Sequence, residues 1–358
     1  MKKLLTIMIC LILTITLCSC DFMEDIDMKK LEASTNITDE PDVLQKALKQ
    51  FRVLSRDDEN SVFSPVSLNM ALQIYNEDTP NDSIQKYIGQ TDYLSYKDRI
   101  SENGNTIFTY NNVIWANSLI DKTYNEKVKD YVVPVDFSDE GYKKVINDYI
   151  AEKTHNFIMN IDLNANASDI DIIMNVAYFK DTWFGRELEI VKNQKFKGVN
   201  KTTKVDMLTY NTSVIYENST CYVVGYPYNN GDTFYLVYPK KKLEDVNLTD
   251  IFLTKTTDKY QAKVTFPKFS IENEIDITSK QSDLELSITD SKIKQKTRIE
   301  VDEKGTEAAA VTANMRYGKA AIQKKKEKLT LTFDKPFYFF IQDNLNKDTM
   351  FIGQVVDL

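Results

Sequence analysis

Apolar residues recur at three- and four-residue steps from Pro41 onward. Val43, Leu44, Ala47, Leu48, Phe51 and Leu54 form one stripe, which predicts a helix lying on a core. Pro41 suits its first turn, where no N–H is required. A second helix is predicted in NSVFSPVSLNMAL, Asn60 to Leu72, with Ser64 as N-cap, Pro65 in the first turn and Leu68, Ala71 and Leu72 facing inward. Buried hydroxyls need partners, so Ser64 and Ser67 should hydrogen-bond something nearby. From Asn76 to Asn105 apolar residues are sparse, and strand character returns from Thr106 to Trp115. Ser138 to Ile150 predicts an amphipathic helix, with Tyr142, Val145, Ile146, Tyr149 and Ile150 on its stripe. Asp171 to Trp183, DIIMNVAYFKDTW, is almost continuously apolar, as expected of a strand buried on both faces. Further strands are predicted around the turn Asn229-Asn230-Gly231, in VTFPKFSI (Val264 to Ile271), and on either side of Asp343 to Asp348. The combination is that of an α+β domain.

One stretch breaks this alternation. Glu300 to Thr312, EVDEKGTEAAAVT, feeds a segment from Ala313 to Lys328 that lies between the strand-like TRIEV and LTLTF. A long loop between two ordered ends is expected. No proline occurs from Glu303 to Lys335, and side chains from Thr306 to Asn314, Glu307 apart, are small or short. Such a segment can become an interior strand, where proline or alternate bulky residues would be excluded. Gly305 is a suitable pivot. At a strand period of two, Thr306, Ala308, Ala310 and Thr312 share one face. The same residues also suit a surface helix capped by Thr306, built on Ala308 to Ala310 and ended by Gly318.

The 358 residues suffice for one large core or two smaller ones. A net charge of -8 argues against a general nucleic-acid binder. The lysines at Lys319, Lys324, Lys325, Lys326 and Lys328 read as a solvated loop face. Three of the four cysteines, Cys10, Cys18 and Cys20, lie in MKKLLTIMICLILTITLCSC, which predicts a secretory signal over residues 1–19. Leu17-Cys18-Ser19-Cys20 resembles the bacterial lipobox, which implies a mature chain beginning at a lipid-bearing Cys20. Residues 20–40 then form a flexible polar tether of roughly 25 Å, ahead of a domain over residues 41–358. The expected location is the bacterial cell surface, on its extracellular or periplasmic face. The alternative is a soluble secreted protein. Only Cys221 remains as a second thiol, so no internal disulfide is expected.

The inventory for catalysis is thin. His155 is the only histidine and stands at a predicted helix end, where an imidazole favours the dipole. No G-x-S-x-G elbow, H-E-x-x-H, C-x-x-C or phosphate-binding loop occurs. Neither enzyme activity, a metal nor a cofactor is expected.

Several of these segments carry a resemblance. Glu300-Val301-Asp302-Glu303-Lys304-Gly305-Thr306-Glu307-Ala308-Ala309-Ala310 resembles the reactive-loop hinge of the serpins, and Asp334-Lys335-Pro336-Phe337 resembles the segment after their loop. The Asn60 to Leu72 stretch, Val135-Asp136-Phe137, the strand Asp171 to Trp183, Pro267-Lys268-Phe269 and the closing Phe351-Ile352-Gly353-Gln354-Val355-Val356 extend the similarity over most of Pro41 to Leu358. The resemblance implies three β-sheets, about eight helices and an exposed reactive-centre loop over about residues 303–328. It implies a monomeric suicide inhibitor of serine proteases, not an enzyme, whose hinge of Glu303, Gly305, Thr306, Glu307, Ala308, Ala309, Ala310 and Thr312 inserts into the central sheet after cleavage. Ser64, Ser67, Asn175, Trp183 and Gln295 fall where the family's sheet parts. Two departures stand out: Gln295 replaces a usual histidine, and Asp181 a usual glycine. Spacing from the hinge implies cleavage between Lys319 and Ala320, with Arg316, Ile322 and Lys324 as alternatives, and hence a trypsin-like target. A non-inhibitory serpin that binds a ligand or serves as a scaffold is the competing implication.

Overall fold

The structure, a computed structural model, describes residues 41–96, 98–100, 106–251, 257, 259–306, 326–346 and 348–358. The predicted signal, Cys20 and tether lie outside this range. In chain order the helices are α1 (Pro41–Leu54), α2 (Pro65–Asp78), α3 (Asp82–Ile88), α4 (Tyr142–Lys153) and a single turn, α5 (Leu248–Ile251). The first strands are β1 (Ser61–Phe63), β2 (Arg99–Ile100), β3 (Ile107–Asn117), β4 (Val132–Val135) and β5 (Asp171–Thr182). Then come β6 (Glu189–Lys197), β7 (Thr202–Glu217), β8 (Cys221–Pro227), β9 (Thr233–Pro239), β10 (Tyr260–Pro267) and β11 (Phe269–Asp276). The last are β12 (Ser291–Val301), β13 (Gly305–Thr306), β14 (Glu327–Thr332), β15 (Phe337–Asp343) and β16 (Asp348–Val355).

Helix α2 begins where Ser64 leaves the extended conformation. The Ser64 hydroxyl accepts from the Ser67 N–H at 3.4 Å, and Pro65 follows in the first turn. Every residue of α2 from Pro65 to Tyr75 is buried, so this is a central helix and not a surface helix with one wet face. In α4 the buried stripe is Tyr142, Ile146 and Ile150, whereas Val145, predicted to share it, is 53% exposed. The sparse stretch after Tyr75 still holds a seven-residue helix, α3. Asn81 caps it by accepting from the Ser83 and Ile84 N–H groups, and Gly89, at positive φ, ends it.

The expected three sheets and eight helices are not what forms. Among the described residues there are two sheets, four α-helices of seven residues or more, the one turn of α5 and four three-residue 3-10 turns. One sheet has the order β11-β12-β13-β5-β3-β2, with β4 added on β3. The other has nine strands in the order β1-β16-β15-β9-β8-β7-β10-β14, with β6 on β7. Strand β7 explains the fusion. Its first part pairs with β6 and β10, its last part with β8, and a register shift between Val214 and Tyr216 bends it from one group into the other. Aromatic side chains such as Phe108, Phe179, Phe234, Phe339 and Phe351 fill the core shared by the two sheets.

Candidate functional site at the seam of the central sheet

Strands β5 and β12 are parallel neighbours, but only along part of their length. Pairing runs from Ser291 opposite Asp171 to Thr297 opposite Ala177 and then stops. Beyond it the two strands separate, and β13 fills the space. Thr306 pairs with Val301 on one side and Asp181 on the other, while Gly305 pairs with Thr182. Both contacts are antiparallel, so the chain from Gly305 enters the sheet heading down the seam.

The turn that delivers β13 is built from its own polar residues. Asp302 accepts from the Lys304 and Gly305 N–H groups through its side chain, and its own N–H donates to the Gly305 carbonyl at 2.9 Å. A Cβ on Gly305 would stand 2.0 Å from the Asp181 carbonyl oxygen and 2.8 Å from the Thr182 Cα. Only glycine lets the backbones approach this closely. Thr306 is fully buried and shares a hydrogen bond with the Tyr228 hydroxyl.

Trp183 closes the top of the site. Its indole N–H donates to the Asp302 carbonyl at 2.8 Å, its backbone N–H to the Lys304 carbonyl at 3.0 Å, and its ring stacks on Tyr228 at 4.8 Å. The Leu188 N–H donates to the Glu303 carbonyl, and the Glu303 carboxylate pairs with Lys268. Burial is the largest single influence on Glu303 and opposes its charge, but the hydrogen bond and charge of Lys268, a backbone hydrogen bond and the charge of Lys304 together outweigh it and hold the carboxyl below its ordinary range.

Asp181 is buried directly beside β13. Burial pushes its carboxyl up to about 7, although the N–H groups of Asn230 (3.1 Å) and Thr182 (2.7 Å) and the Thr106 hydroxyl (3.0 Å) all favour the charged form. Asp232 nearby adds to the upward push. A glycine at this position would leave no such charge in the sheet.

Farther down the seam Gln295 uses both ends of its amide. Its oxygen accepts from the Ser64 N–H at 3.1 Å, and its nitrogen donates to the Ser64 carbonyl at 2.9 Å and to the Asn175 side-chain oxygen at 3.2 Å. Asn175 in turn donates to the Asn112 oxygen at 2.8 Å. Gln295 and Asn175 also face each other in the parallel register. This chain of bonds therefore pins the paired part of the seam to the start of α2. Ser67 lies beside it, but its hydroxyl has no hydrogen-bond partner among the described residues, contrary to the expectation for a buried serine.

A row of cations on β12 faces the opposite side. Arg298 donates to the Phe157 carbonyl at 2.7 Å and stands 4.4 Å over the Phe157 ring. Lys294 reaches the Asp162 carbonyl and Lys292 the Asp169 carboxylate. These contacts hold the segment after α4 across the sheet. No pattern in the sequence points to them, because two of the three acceptors are backbone carbonyls. Glu307, Ala308, Ala309, Ala310, Thr312, Arg316, Lys319, Ala320, Ile322 and Lys324 lie outside the described residues.

His155 follows α4 and is exposed, with its ring 5.9 Å from Tyr178. No group of three or more His, Cys, Asp or Glu suited to a metal occurs among the described residues.

Over residues 43–358 the chain matches the sequence profile of the family described as serpin (serine protease inhibitor). It is 30% identical to the plasma serine protease inhibitor of Bos taurus over 62% of this chain, and 28% identical to the corticosteroid-binding globulin of Ovis aries over the same share. The matches span 61% and 57% of those two relatives' own lengths. The crystal structure of a thermophilic serpin, Tengpin, in the native state superposes with a TM-score of 0.73, covering 90% of this chain and 95% of that one at 21% identity.

Proposed function

The chain belongs to the serpin family, and from that premise we propose that it is a suicide inhibitor of trypsin-like serine proteases. A protease cuts the loop, and before the acyl-enzyme hydrolyses, the hinge side of the loop inserts into the central sheet and carries the protease away from its working geometry. One observation supports this reading above the others. Gly305 and Thr306 already lie between β5 and β12, hydrogen-bonded into the sheet and directed down the seam. The residues that follow, Glu307, Ala308, Ala309, Ala310 and Thr312, carry side chains that a sheet interior accepts, Glu307 falling on the opposite face from Thr306. The proposed bait bond is Lys319–Ala320, which suits the acidic pocket of a trypsin-like target. We further assign residues 1–19 to a signal peptide, with Cys20 lipidated and residues 20–40 tethering the domain to a bacterial surface. The mass of the mature N-terminal peptide, with or without lipid on Cys20, decides that point.

The competing reading is a ligand carrier, as the name of the ovine relative suggests for that protein. Mixing the purified domain with trypsin separates the two. A covalent adduct on a denaturing gel, with a released C-terminal peptide beginning at Ala320, is the inhibitor's outcome. Thr306→Arg puts a long cation where Thr306 now meets Tyr228, and should turn the inhibitor into a plain substrate. Trapping that persists in this variant would exclude insertion as the mechanism.

A further inference from the structure

A groove of about 640 Å³ opens between α1, α3 and the turn that carries Glu285, within the size range of a small-molecule site. None of its residues belongs to the seam, so what it does is independent of whether the chain inhibits a protease. Lys46, Lys49 and Arg52 line it from α1 and Lys86 from α3, against the single acid Glu285. Four positive charges against one is a local reversal of sign in a chain whose net charge is -8.

The rest of the lining is apolar. Leu48 is 2% exposed, Val53 is half-buried, and the ring of Tyr87 lies 5.7 Å from the Lys46 ammonium. The Tyr87 hydroxyl is buried with no hydrogen-bond partner among the described residues, although the Gln50 amide stands near enough to favour its ionised form. Burial nevertheless pushes it up to about 12, so it keeps its proton and remains a donor. A cationic rim over an apolar floor suits an amphiphile with one anionic head. A polyanionic chain would meet the rim and leave the floor uncovered.

Glu285 indicates the kind of head. Its φ of 60° lies in the left-handed region that favours glycine. The turn around it is fixed: the Leu286 N–H donates to the Gln281 carbonyl at 2.8 Å, the Glu285 N–H donates to the Ser282 carbonyl at 3.1 Å, and Leu284 and Leu286 are both buried. Glycine or asparagine is the usual residue at such a helix end. The Glu285 carboxylate instead reaches Lys49 at 3.0 Å, in a pair whose side chains are 76% and 50% exposed. So exposed a pair adds little to stability and does not offset a strained backbone. As a staple the contact fails. As a placeholder it makes sense, an internal carboxylate resting on the cation that an external one takes.

We propose that this groove binds a single-chain carboxylate amphiphile of the fatty-acid class, its head on Lys49 and Lys86 in place of Glu285 and its chain along Leu48, Val53 and the Tyr87 ring.

Isothermal titration of the full chain with dodecanoate, kept below its micelle concentration, tests this. One molecule should bind per chain, and dodecanol, which has the same tail and no charge, should bind about tenfold more weakly. Replacing both Lys49→Gln and Lys86→Gln should weaken dodecanoate about tenfold. Glu285→Gln keeps the turn but clears the rival charge, and should strengthen binding about threefold. All three side chains are exposed, so the variants should keep the thermal midpoint of the original. Binding of several dodecanoates per chain, or equal binding to the original and both variants, would be surfactant adsorption and would overturn the site. Absence of dodecanoate binding would overturn it too, and a sulfated polysaccharide that then bound through the same two lysines would make the groove a polyanion surface instead.

Discussion

Asp181→Asn is the change that most directly tests the electrostatics of the seam. In the fold, burial raises this carboxyl from 3.8 to about 7. The protonated form is therefore the one the fold prefers. Its contribution to stability is fully present below pH ~4 and is lost as pH rises through about 7, the reverse of a salt-bridged carboxylate. A shift of roughly three units at ~1.36 kcal/mol per unit amounts to about 4 kcal/mol, of which about 2–3 kcal/mol falls between pH ~5 and pH ~8. Asparagine keeps an acceptor for the Thr182 or Asn230 N–H and cannot ionise. Urea unfolding followed at several pH values in that interval should show the original protein losing stability relative to the variant as pH rises. The gap should widen by about 2–3 kcal/mol. Two curves that run parallel from pH ~5 to pH ~8 would refute the reasoning, because the charge on Asp181 would then cost nothing in the fold.

Two further substitutions probe the top and the middle of the seam. Gly305→Ala puts a methyl 2.0 Å from the Asp181 carbonyl oxygen. It should detach β13, cost ~2–4 kcal/mol and speed hydrogen exchange at the Thr306 amide, so unchanged exchange would contradict the contact. Gln295→Ala leaves the Ser64 N–H, the Ser64 carbonyl and the Asn175 oxygen without their present partner. A loss of ~3 kcal/mol is expected by urea unfolding, and a loss below about 1 kcal/mol would mean that Gln295 does not hold the seam.

How much of this is legible in the sequence depends on whether the signal is local. Ser64-Pro65 and the apolar run from Asp171 announce α2 and β5, because a cap and a doubly buried strand are properties of consecutive residues. The fusion of two expected sheets into one is not legible. It turns on a bend within β7 between Val214 and Tyr216, where nothing local distinguishes one long strand from two short ones. Val145 departs from its predicted stripe because it sits at the margin, and only the packing partner decides which margin is wet. Within the site, Gln295, Asn175 and Ser64 carry a sequence signal but Asn112, the next link, does not. Asp181 is visible as a departure from the family pattern, but its donors Thr106 and Asn230 are distant in the chain, so the direction of its pKa shift needs the fold.

The register also decides how insertion can be favourable and yet wait for a trigger. On the insertion reading, seven parallel pairs between β5 and β12 break while the loop extends β13 between them. Ten further residues, 307–316, gain neighbours on two sides. At about one ladder bond per residue per side, roughly twenty bonds replace roughly seven, and at ~1 kcal/mol net each the gain is on the order of 10 kcal/mol. Antiparallel pairs replacing parallel ones add to it. That is comparable with the whole stability of a typical domain. The ladder therefore cannot be what keeps the seam closed. Side chains do so: the Gln295 amide that joins Ser64 to Asn175, and the Arg298, Lys294 and Lys292 contacts that hold the segment after α4 across the sheet. On the insertion reading, the register of Thr306 against Val301 and Asp181 assigns Thr312 as the residue whose entry displaces the Gln295–Asn175 bond. It lies six residues past Thr306, so on this reading the first steps of insertion, through Ala308, come before any β5–β12 pair is broken, because that pairing ends at Thr297 and Ala177. On the insertion reading, a loop still joined at both ends stalls before that bond, whereas a cut loop passes it. Loosening Gln295 should accordingly let the uncut protein insert its own loop on warming, and a gain in heat resistance after that warming is the signature to look for.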